Sequence, residues 1–216
     1  MKKLLRELEI IKAAKLNKVV FIDKNTIITP LAKDTARELG VEIKEYWNAG
    51  TGVADNVSEK ITESWPVKKI AIAADHGGYY LKEEIKEYLR KLDYTVSDLG
   101  PLNADPCDYP DYAVQVARMV SSGEAERGIM IDSVGIGSSM AANRVRGVLA
   151  AKCNNAFEAR SCREHNYANV LTMGSKVIGS EVAKEIVKIF LETPGGAERH
   201  KRRIDKILAM DGGSGK

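Results

Sequence analysis

The chain has 216 residues, 44% of them hydrophobic and 29% charged, which is typical of a globular protein with a sizeable core. Its formal net charge of +3 is too small to indicate nucleic acid as a partner, and no apolar run approaches the roughly 20 residues that a membrane span needs. The three cysteines, Cys107, Cys153 and Cys162, are odd in number and lack metal-site spacing. We therefore expect reduced thiols in a cytoplasmic protein.

Composition divides the chain into three parts. Residues 1–46 are predicted to form a small α/β extension of their own. Residues 47–66 are predicted to be a linker, because they combine glycines and scattered charges without clear periodicity and end at Pro66. Residues 67–216 hold the main domain.

Within the extension, apolar residues at helical spacing predict a helix over 2–14, and short strands are predicted at 18–23 and 41–46. The segment Thr29–Gly40 begins with a threonine N-cap and a proline and closes with a glycine, which predicts a well-capped helix. The same dozen residues resemble a short module of bacterial microcompartment proteins. A docking or targeting role, for example inside a microcompartment, and a simple capped helix both remain open.

The main domain alternates strands with helices, which favours an α/β fold with a doubly wound, five-stranded parallel sheet. We expect the strand order 2-1-3-4-5, in which ligands bind beyond the carboxyl ends of strands 1 and 3. Strands are predicted at 69–74, 94–98, 128–131, 147–151 and 169–173, and helices at about 79–91, 112–121, 155–164, 180–191 and 197–210.

Polar residues stand at the ends of strands 1 and 3, where the ligand site is expected. Asp75 and His76 leave strand 1, and Asp132 and Ser133 leave strand 3. The histidine at 165 and its neighbour Asn166 precede strand 5, so only tertiary folding can bring them close to the other polar residues.

The stretch Gly128–Asn143 predicts a strand, a glycine-containing loop and the start of a helix. Such a loop directs backbone N–H groups at whatever lies above the strand, and the helix dipole favours an anion or an oxyanion there. A tight strand-to-helix turn without a ligand is the equally open alternative, since two spaced glycines are weak evidence.

A basic run near the C-terminus is a candidate phosphate site. Arg199 and Arg203 are four residues apart, share one helix face with His200 beside it, and can bind a phosphate through paired hydrogen bonds. A solvated helix face is the alternative. The run lacks the aromatic residues of nucleic-acid sites. No two histidines have the spacing of metal ligands, so we expect neither a metal nor another cofactor.

Several motifs together resemble the ribose-5-phosphate isomerase B family, which includes the galactose-6-phosphate isomerase subunits. The resemblance covers about residues 68–210. It rests on Asp75-His-Gly-Gly, Asp108-Tyr-Pro, Gly135-Ile-Gly-Ser-Ser-Met-Ala-Ala-Asn-Arg144, Arg163-Glu-His-Asn, Asn169-Val-Leu-Thr-Met-Gly-Ser175 and Arg199-His-Lys-Arg-Arg203.

The resemblance implies a Rossmann-like domain and a metal-free aldose–ketose isomerase that interconverts ribose 5-phosphate and ribulose 5-phosphate. It also implies a homodimer or tetramer whose active site is shared between subunits. His165 would open the sugar ring as an acid, and Lys176 replaces a phosphate-binding arginine. The other implied substrate contacts are the side chains of Asp75, His76, Tyr109, Asn166, Arg199, His200 and Arg203 and the backbone N–H groups of Ser133, Val134, Gly135, Ile136 and Gly137.

The sequence departs from the family at the catalytic base. Asp132-Ser-Val-Gly135 stands where many members have Cys-Gly-Thr-Gly, and Ser138 stands where others have a glutamate. Aspartate is ionised at neutral pH but is a weaker base than cysteine, with ordinary pKa values of about 3.9 and about 8.5. Asp132 is therefore either the base or a cap of the following turn. Without a base the chain would be a catalytically silent sugar-phosphate binding or scaffold protein. Val134 and Ser138 are expected to line the sugar pocket.

Overall fold

The computed structural model describes residues 4–15, 19–22, 26–45 and 66–212. The chain divides into two compact units, residues 1–62 and residues 63–216. Apart from Pro66, the predicted linker lies outside the described residues. None of the helices in the described ranges has the length and apolar character that crossing a bilayer requires.

The described residues of the N-terminal unit form two helices and two pairs of parallel strands. Strand β1 pairs with β3, and β2 pairs with β4. The predicted helix over 2–14 begins only at Glu7, because Leu4–Leu5 pair with β3 as a strand and Leu5 is buried in the core of the unit. The elements are β1 (Leu4–Leu5), α1 (Glu7–Ala14), β2 (Val19–Ile22), β3 (Ile27–Ile28), α2 (Pro30–Leu39) and β4 (Glu42–Glu45).

The predicted ends of helix α2 are confirmed. The Thr29 hydroxyl accepts a hydrogen bond from the Ala32 N–H at 3.2 Å, and Pro30 occupies the first turn. Gly40 ends the helix in the left-handed conformation, with φ of 62°. The helix packs on a small core made of Leu5, Ile10, Ala13, Ile22, Ala32, Ala36 and Val41.

The second unit has the predicted alternation of strands and helices, and all neighbouring strands are parallel. Its strands are β5 (Lys69–Ala74), β6 (Thr95–Asp98), β7 (Arg127–Asp132), β8 (Ala150–Lys152) and β9 (Val170–Gly174). Its helices are α3 (Tyr79–Lys91), α4 (Tyr109–Ser121), α5 (Ile136–Ala142), α6 (Ala156–Glu164), α7 (Ser180–Glu192) and α8 (Glu198–Leu208), followed by a short 3-10 turn, Ala209–Gly212.

The order of the sheet corrects the prediction. The strands lie as β6-β5-β7-β9-β8, which is 2-1-3-5-4 rather than 2-1-3-4-5. An inner strand of a parallel sheet is covered on both faces. All five residues of Val170–Gly174 are buried, whereas Ala150–Lys152 is short, half-buried and ends in a charged residue. Strand β9 therefore takes the inner place beside β7, and β8 takes the edge.

Helices cover both faces of the sheet, as a doubly wound fold requires. Ile70 and Ile72 of β5 point into a core that includes Phe190 of α7, whereas the intervening Ala71 lies in a second core with Val116 of α4. Because successive strand residues point to opposite faces, the unbroken apolar run of β5 supplies both cores.

Candidate active site

Three inner strands, β5, β7 and β9, end side by side and are followed by polar residues. The Ser175 N–H donates to the Asp132 carbonyl at 2.8 Å, and the Lys176 N–H donates to the Ser133 carbonyl at 3.1 Å. The corrected strand order places Lys176 here, because β9 rather than β8 lies next to β7. We call this group the strand-end cluster; it contains Asp75, His76, Tyr109, Asp132–Gly137, Ser175 and Lys176.

The loop after β5 is fixed by hydrogen bonds. Asp75 is 6% exposed, and its Oδ1 accepts the Gly78 N–H at 2.9 Å at the start of helix α3. The Nδ1 atom of the neighbouring His76 lies 3.1 Å from the carbonyl oxygen of Cys107. The Ser175 hydroxyl donates to the Gly77 carbonyl at 2.7 Å, which links the ends of β5 and β9. Hydrogen bonds therefore fix the two residues predicted at the end of strand 1.

Tyr109 reaches the glycine loop because position 137 has no side chain. A Cβ atom on Gly137 would lie 2.5 Å from the Tyr109 ring and 2.8 Å from its hydroxyl oxygen. Since real Cβ atoms do not approach so closely, glycine is required for the ring to lie against the start of helix α5. The structure thus brings Tyr109 together with the loop that the sequence singled out.

The carboxylate of Asp132 accepts four hydrogen bonds. Its Oδ1 accepts the N–H groups of Val134, at 2.6 Å, and Gly135. Its Oδ2 accepts the Ser138 N–H at 3.2 Å and the Ser138 hydroxyl at 2.5 Å. Asp132 is 5% exposed. Its carboxylate thus caps the following turn. It accepts hydrogen bonds from the N–H groups of Val134 and Gly135, which were predicted to bind an oxyanion.

Ser138 does not line an open pocket. Its side chain is fully buried and its hydroxyl is turned to Asp132, whereas Val134 is 43% exposed. The serine matters instead because a hydroxyl group rotates, so it is the most easily released of the four donors to Asp132. Val134 alone of the two residues can face a ligand.

A second group of predicted site residues gathers around helix α8. The rings of His165 and His200 are stacked with their centroids 4.5 Å apart. The Arg199 Nε–H donates to His200 Nε2 at 3.2 Å, and the Tyr167 hydroxyl donates to the Gly196 carbonyl at 2.5 Å, which ties the end of α6 to the start of α8. We call this group the histidine–arginine cluster; it contains His165, Asn166, Arg199, His200 and Arg203.

This cluster is more exposed and more positively charged than the first. His165, Asn166, Arg199 and Arg203 are all exposed. Desolvation and the nearby charges of His165, Arg199 and Arg203 lower the pKa of His200. A stacked imidazole pair beside two guanidinium groups is suited to bind an anion such as a phosphate.

The two clusters lie at opposite ends of β9. His165 and Asn166 precede the strand, whereas Lys176 follows it. Five residues of strand span about 17 Å at 3.3 Å per residue. One chain therefore does not surround a single small sugar phosphate with both clusters.

Three neighbours of the clusters were not assigned roles by the sequence. Ser161 Oγ lies 3.1 Å from His165 Nδ1. Cys107 holds His76 through its backbone. The Lys152 side chain lies beside the glycine loop, 3.1 Å from where a Cβ of Gly135 would be. Of these residues only Ser161 could have been found from the sequence, because it stands four residues before His165 on a predicted helix.

Metal ligands are not grouped in the described ranges. No three histidine, cysteine, aspartate or glutamate residues among 4–15, 19–22, 26–45 and 66–212 are placed to hold a metal ion.

Residues 70–207 match the sequence profile of the family described as ribose/galactose isomerase. The chain belongs to the ribose/galactose isomerase family. The matched range contains both clusters, from Asp75 to Arg203, and leaves out the N-terminal unit.

Individual members of the family are similar over about two thirds of the chain. Ribose-5-phosphate isomerase B of Escherichia coli (strain K12) is 41% identical over 145 residues, covering 67% of this chain and 97% of the relative. The structure of Clostridium thermocellum ribose-5-phosphate isomerase B superimposes with a TM-score of 0.67 at 44% identity, covering 68% of this chain and 99% of that one. For the Mycoplasma genitalium enzyme with bound ribulose-5-phosphate the TM-score is 0.64 at 41% identity, covering 66% and 95%.

Proposed function

We propose that this chain is a metal-independent aldose–ketose isomerase that interconverts ribose 5-phosphate and ribulose 5-phosphate or a closely related pair of sugar phosphates. The observation that carries this proposal is family membership over a range that retains the polar residues of both clusters. A relative with 41% identity is described with ribulose-5-phosphate bound, which supports the substrate class. The reaction needs no cofactor, because it moves protons between two carbons and two oxygens of one molecule.

The proposed reaction begins with ring opening. His165 donates a proton to the ring oxygen of the sugar, and a base then removes the proton from C2 to give an enediolate. Backbone N–H groups stabilise the enediolate oxygen. Because Asp132 occupies the N–H groups of Val134 and Gly135, the donors available for this are those of Ser133, Ile136 and Gly137. Transfer of the O2 hydroxyl proton to O1 and return of the proton to C1 complete the conversion of aldose to ketose.

Asp132 is the proposed base. Its position at the end of β7, beside Asp75 and the glycine loop, supports this assignment. A carboxylate with both oxygens occupied must release a donor before it accepts a proton from carbon. Rotation of the Ser138 hydroxyl frees Oδ2 while Val134 and Gly135 keep Oδ1 in place. Because the four hydrogen bonds engage both carboxylate oxygens, they also favour the alternative, a silent sugar-phosphate binding or scaffold protein.

A direct assay separates the two functions. Conversion of ribose 5-phosphate to ribulose 5-phosphate and exchange of solvent hydrogen into C2 are measured for the natural chain, Asp132→Asn and Ser138→Ala. We expect Asp132→Asn to lower kcat by about 1,000-fold, as loss of a general base does, and Ser138→Ala to keep most activity. An unchanged rate in Asp132→Asn would remove the base assignment. If the natural chain shows no conversion and no exchange, the silent sugar-phosphate binding or scaffold protein is the correct alternative.

The site is proposed to be shared between two copies of the chain in a homodimer or tetramer. The separation of the two clusters along β9 supports this, since the strand-end cluster of one subunit needs the histidine–arginine cluster of another. In that site Lys176, Arg199, His200 and Arg203 bind the phosphate, and Asp75, His76, Tyr109 and Asn166 bind hydroxyl groups or phosphate. Lysine at 176 keeps the charge but lacks the paired donors of arginine.

Subunit mixing tests the shared site. Asp132→Asn and His165→Asn proteins are each assayed alone, then unfolded together and refolded at equal concentrations. In a mixed dimer one of the two sites combines both substitutions and the other has neither, so about a quarter of the natural activity should return. No recovery, with mixed dimers demonstrated by mass, would place the whole site in one chain.

The N-terminal unit is proposed to dock or target the enzyme, for example into a bacterial microcompartment within the cytoplasm. Two observations support this role. The family match leaves the N-terminal unit out, and the apolar side chains of Leu8, Ile27 and Leu31 are exposed. A fusion of residues 1–66 to a fluorescent protein should be enclosed with microcompartments in cells that make them. Diffuse fluorescence in such cells would contradict the targeting role.

A further inference from the structure

Two buried thiols face each other outside both clusters. Cys153 follows the edge strand β8, and Cys162 lies on helix α6. Their sulfur atoms are 3.8 Å apart, and the residues are 1% and 7% exposed. A disulfide has a sulfur–sulfur length of about 2.05 Å, so the two sulfurs need to approach by only about 1.8 Å to be joined.

The hydrogen bonds of the pair make the two sulfurs unequal. The Cys153 thiol donates to Cys162 Sγ, and the Cys162 thiol donates to the Ala159 carbonyl at 3.2 Å. The hydrogen bond from Cys153 and the positive charge of Arg163 lower the pKa of the Cys162 thiol, while the same contact and burial raise the pKa of Cys153. Cys162 therefore has the thiol that is more easily ionised, and it is the more exposed residue of the two.

Helix α6 connects this pair to the histidine–arginine cluster. The helix ends at His165, three residues after Cys162. Between them Arg163 is fully buried and donates to the carbonyl groups of Thr193, at 3.1 Å, and Ala168, at 2.5 Å. A movement of Cys162 toward β8 thus pulls on the bonds that hold the end of α6 and the imidazole of His165.

We propose that Cys153 and Cys162 are an oxidation site that closes to an internal disulfide and thereby lowers the activity of the enzyme reversibly. The disulfide itself follows from the geometry of the pair, whereas its effect on activity rests on the proposed isomerase function. The oxidant is a small peroxide or a low-molecular-weight disulfide.

With hydrogen peroxide the reaction has two steps. The ionised sulfur of Cys162 takes one oxygen as the O–O bond breaks, and the other oxygen leaves as water with a solvent proton. The Cys153 sulfur then bonds to Cys162, the sulfenic oxygen leaves as a second water, and the proton of Cys153 goes with it. Two thiols are oxidised to one disulfide, and one peroxide is reduced to two waters. A reducing dithiol reverses the change by thiol–disulfide exchange.

The experiment uses the full chain with Cys107→Ser, which removes the remaining cysteine. The reduced protein is first shown to isomerise ribose 5-phosphate, then treated with hydrogen peroxide. Its intact mass, free thiols and activity are followed together. We expect the mass to fall by two hydrogen atoms, both thiols to disappear, and kcat to drop by about tenfold or more, since a misplacement of 1 Å can cost on the order of 100-fold. A reducing dithiol should restore all three.

Single replacements serve as matched controls. Cys162→Ser should keep its mass and activity at the peroxide dose that halves the activity of the parent. Cys153→Ala should gain one oxygen on Cys162, because the second sulfur is missing. Thiols that stay free, or a disulfide that leaves activity unchanged, would overturn the proposal. Because mass and thiol content do not depend on catalysis, failure of the disulfide is distinguishable from failure of the isomerase assignment, which the reduced protein shows first.

Discussion

The two clusters of the second unit are built in opposite ways. The strand-end cluster is held by buried carboxylates and short backbone hydrogen bonds, with Asp75 and Asp132 at most 6% exposed. The histidine–arginine cluster consists of mostly exposed side chains that follow α6 or lie on α8, held by one ring stack and a few hydrogen bonds. In the proposed isomerase, proton transfer at carbon therefore takes place at the more buried cluster, and most of the phosphate contacts come from the more exposed one.

A loss of activity as large as that expected for Asp132→Asn should come from the proposed acid of the histidine–arginine cluster. His165→Asn removes the proposed proton donor for ring opening and should lower kcat by about 1,000-fold on the cyclic sugar. His200→Asn, the matched change on the stacked ring, should mainly raise KM because it is proposed to bind phosphate. Steady-state kinetics of both variants measure this, and equal losses of kcat would show that the two imidazoles do not have separate roles.

The stability of the second unit should depend on a buried ion cluster at the end of β6. Lys82 is fully buried, and its Nζ lies 2.8 Å from Asp98 Oδ1; Lys86 Nζ lies 2.7 Å from Asp98 Oδ2. Asp98→Asn leaves these cations poorly compensated and should lower the free energy of unfolding by about 3–5 kcal/mol in urea titrations. The more exposed Glu83→Gln should cost about 1 kcal/mol or less. If Asp98→Asn and Glu83→Gln lower the free energy of unfolding equally, the difference in burial between the two carboxylates does not set the cost.

The same carboxylate sets a pH dependence. Burial raises the pKa of Asp98, but the hydrogen bonds and charges of Lys82 and Lys86 outweigh it, so the pKa is below its ordinary value of 3.8. A lowered pKa in the folded state gives stability that is present above the ordinary pKa and is lost as the pH falls through the folded value. The advantage of the natural chain over Asp98→Asn should therefore shrink below about pH 4. A constant difference down to acid pH would contradict this.

A smaller effect is expected from the phosphate-binding arginines. Arg203→Lys keeps the charge but loses the paired donors, so KM should rise by about tenfold while kcat is retained. Arg199→Lys should change kcat as well, because Arg199 also donates to His200. Measured kcat and KM for the two variants distinguish an arginine that only binds phosphate, as proposed for Arg203, from one that also orients the imidazole of His200, as proposed for Arg199. If KM is unchanged in both variants, the phosphate binds elsewhere.

The smallest effect should come from Ser161, which contacts His165 and not the substrate. Ser161→Ala removes one hydrogen bond to Nδ1, worth about 1 kcal/mol, and should lower kcat by about fivefold and shift its pH profile. Ser161→Thr keeps the hydroxyl and should restore both values. If alanine and threonine behave alike, the hydroxyl does not orient His165.

Much of the fold was accessible from the sequence because its signals are local. The N-cap Thr29, the helix stop at Gly40 and four of the five main strands were predicted and are confirmed, whereas the strand predicted at 147–151 begins only at Ala150 and ends at Lys152. The start of α1 was wrong, because pairing of Leu4–Leu5 with a strand more than twenty residues away overrides helical spacing. The exchange of the last two strands was missed because order in a sheet depends on which strand can be covered on both faces.

The sequence by itself determined the α/β alternation, the glycine loop and the residue types at both clusters, since each depends on spacing along the chain. Only the tertiary structure decided that β9 lies beside β7, that the Asp132 carboxylate caps its own loop, and that the two clusters stand at opposite ends of one strand. The strand order and the grouping of each cluster depend on packing between segments distant in sequence, whereas the cap at Asp132 is a local contact that the sequence left open beside the role of base. The same packing brought Cys153 and Cys162 to 3.8 Å, a pairing that an odd cysteine count does not predict.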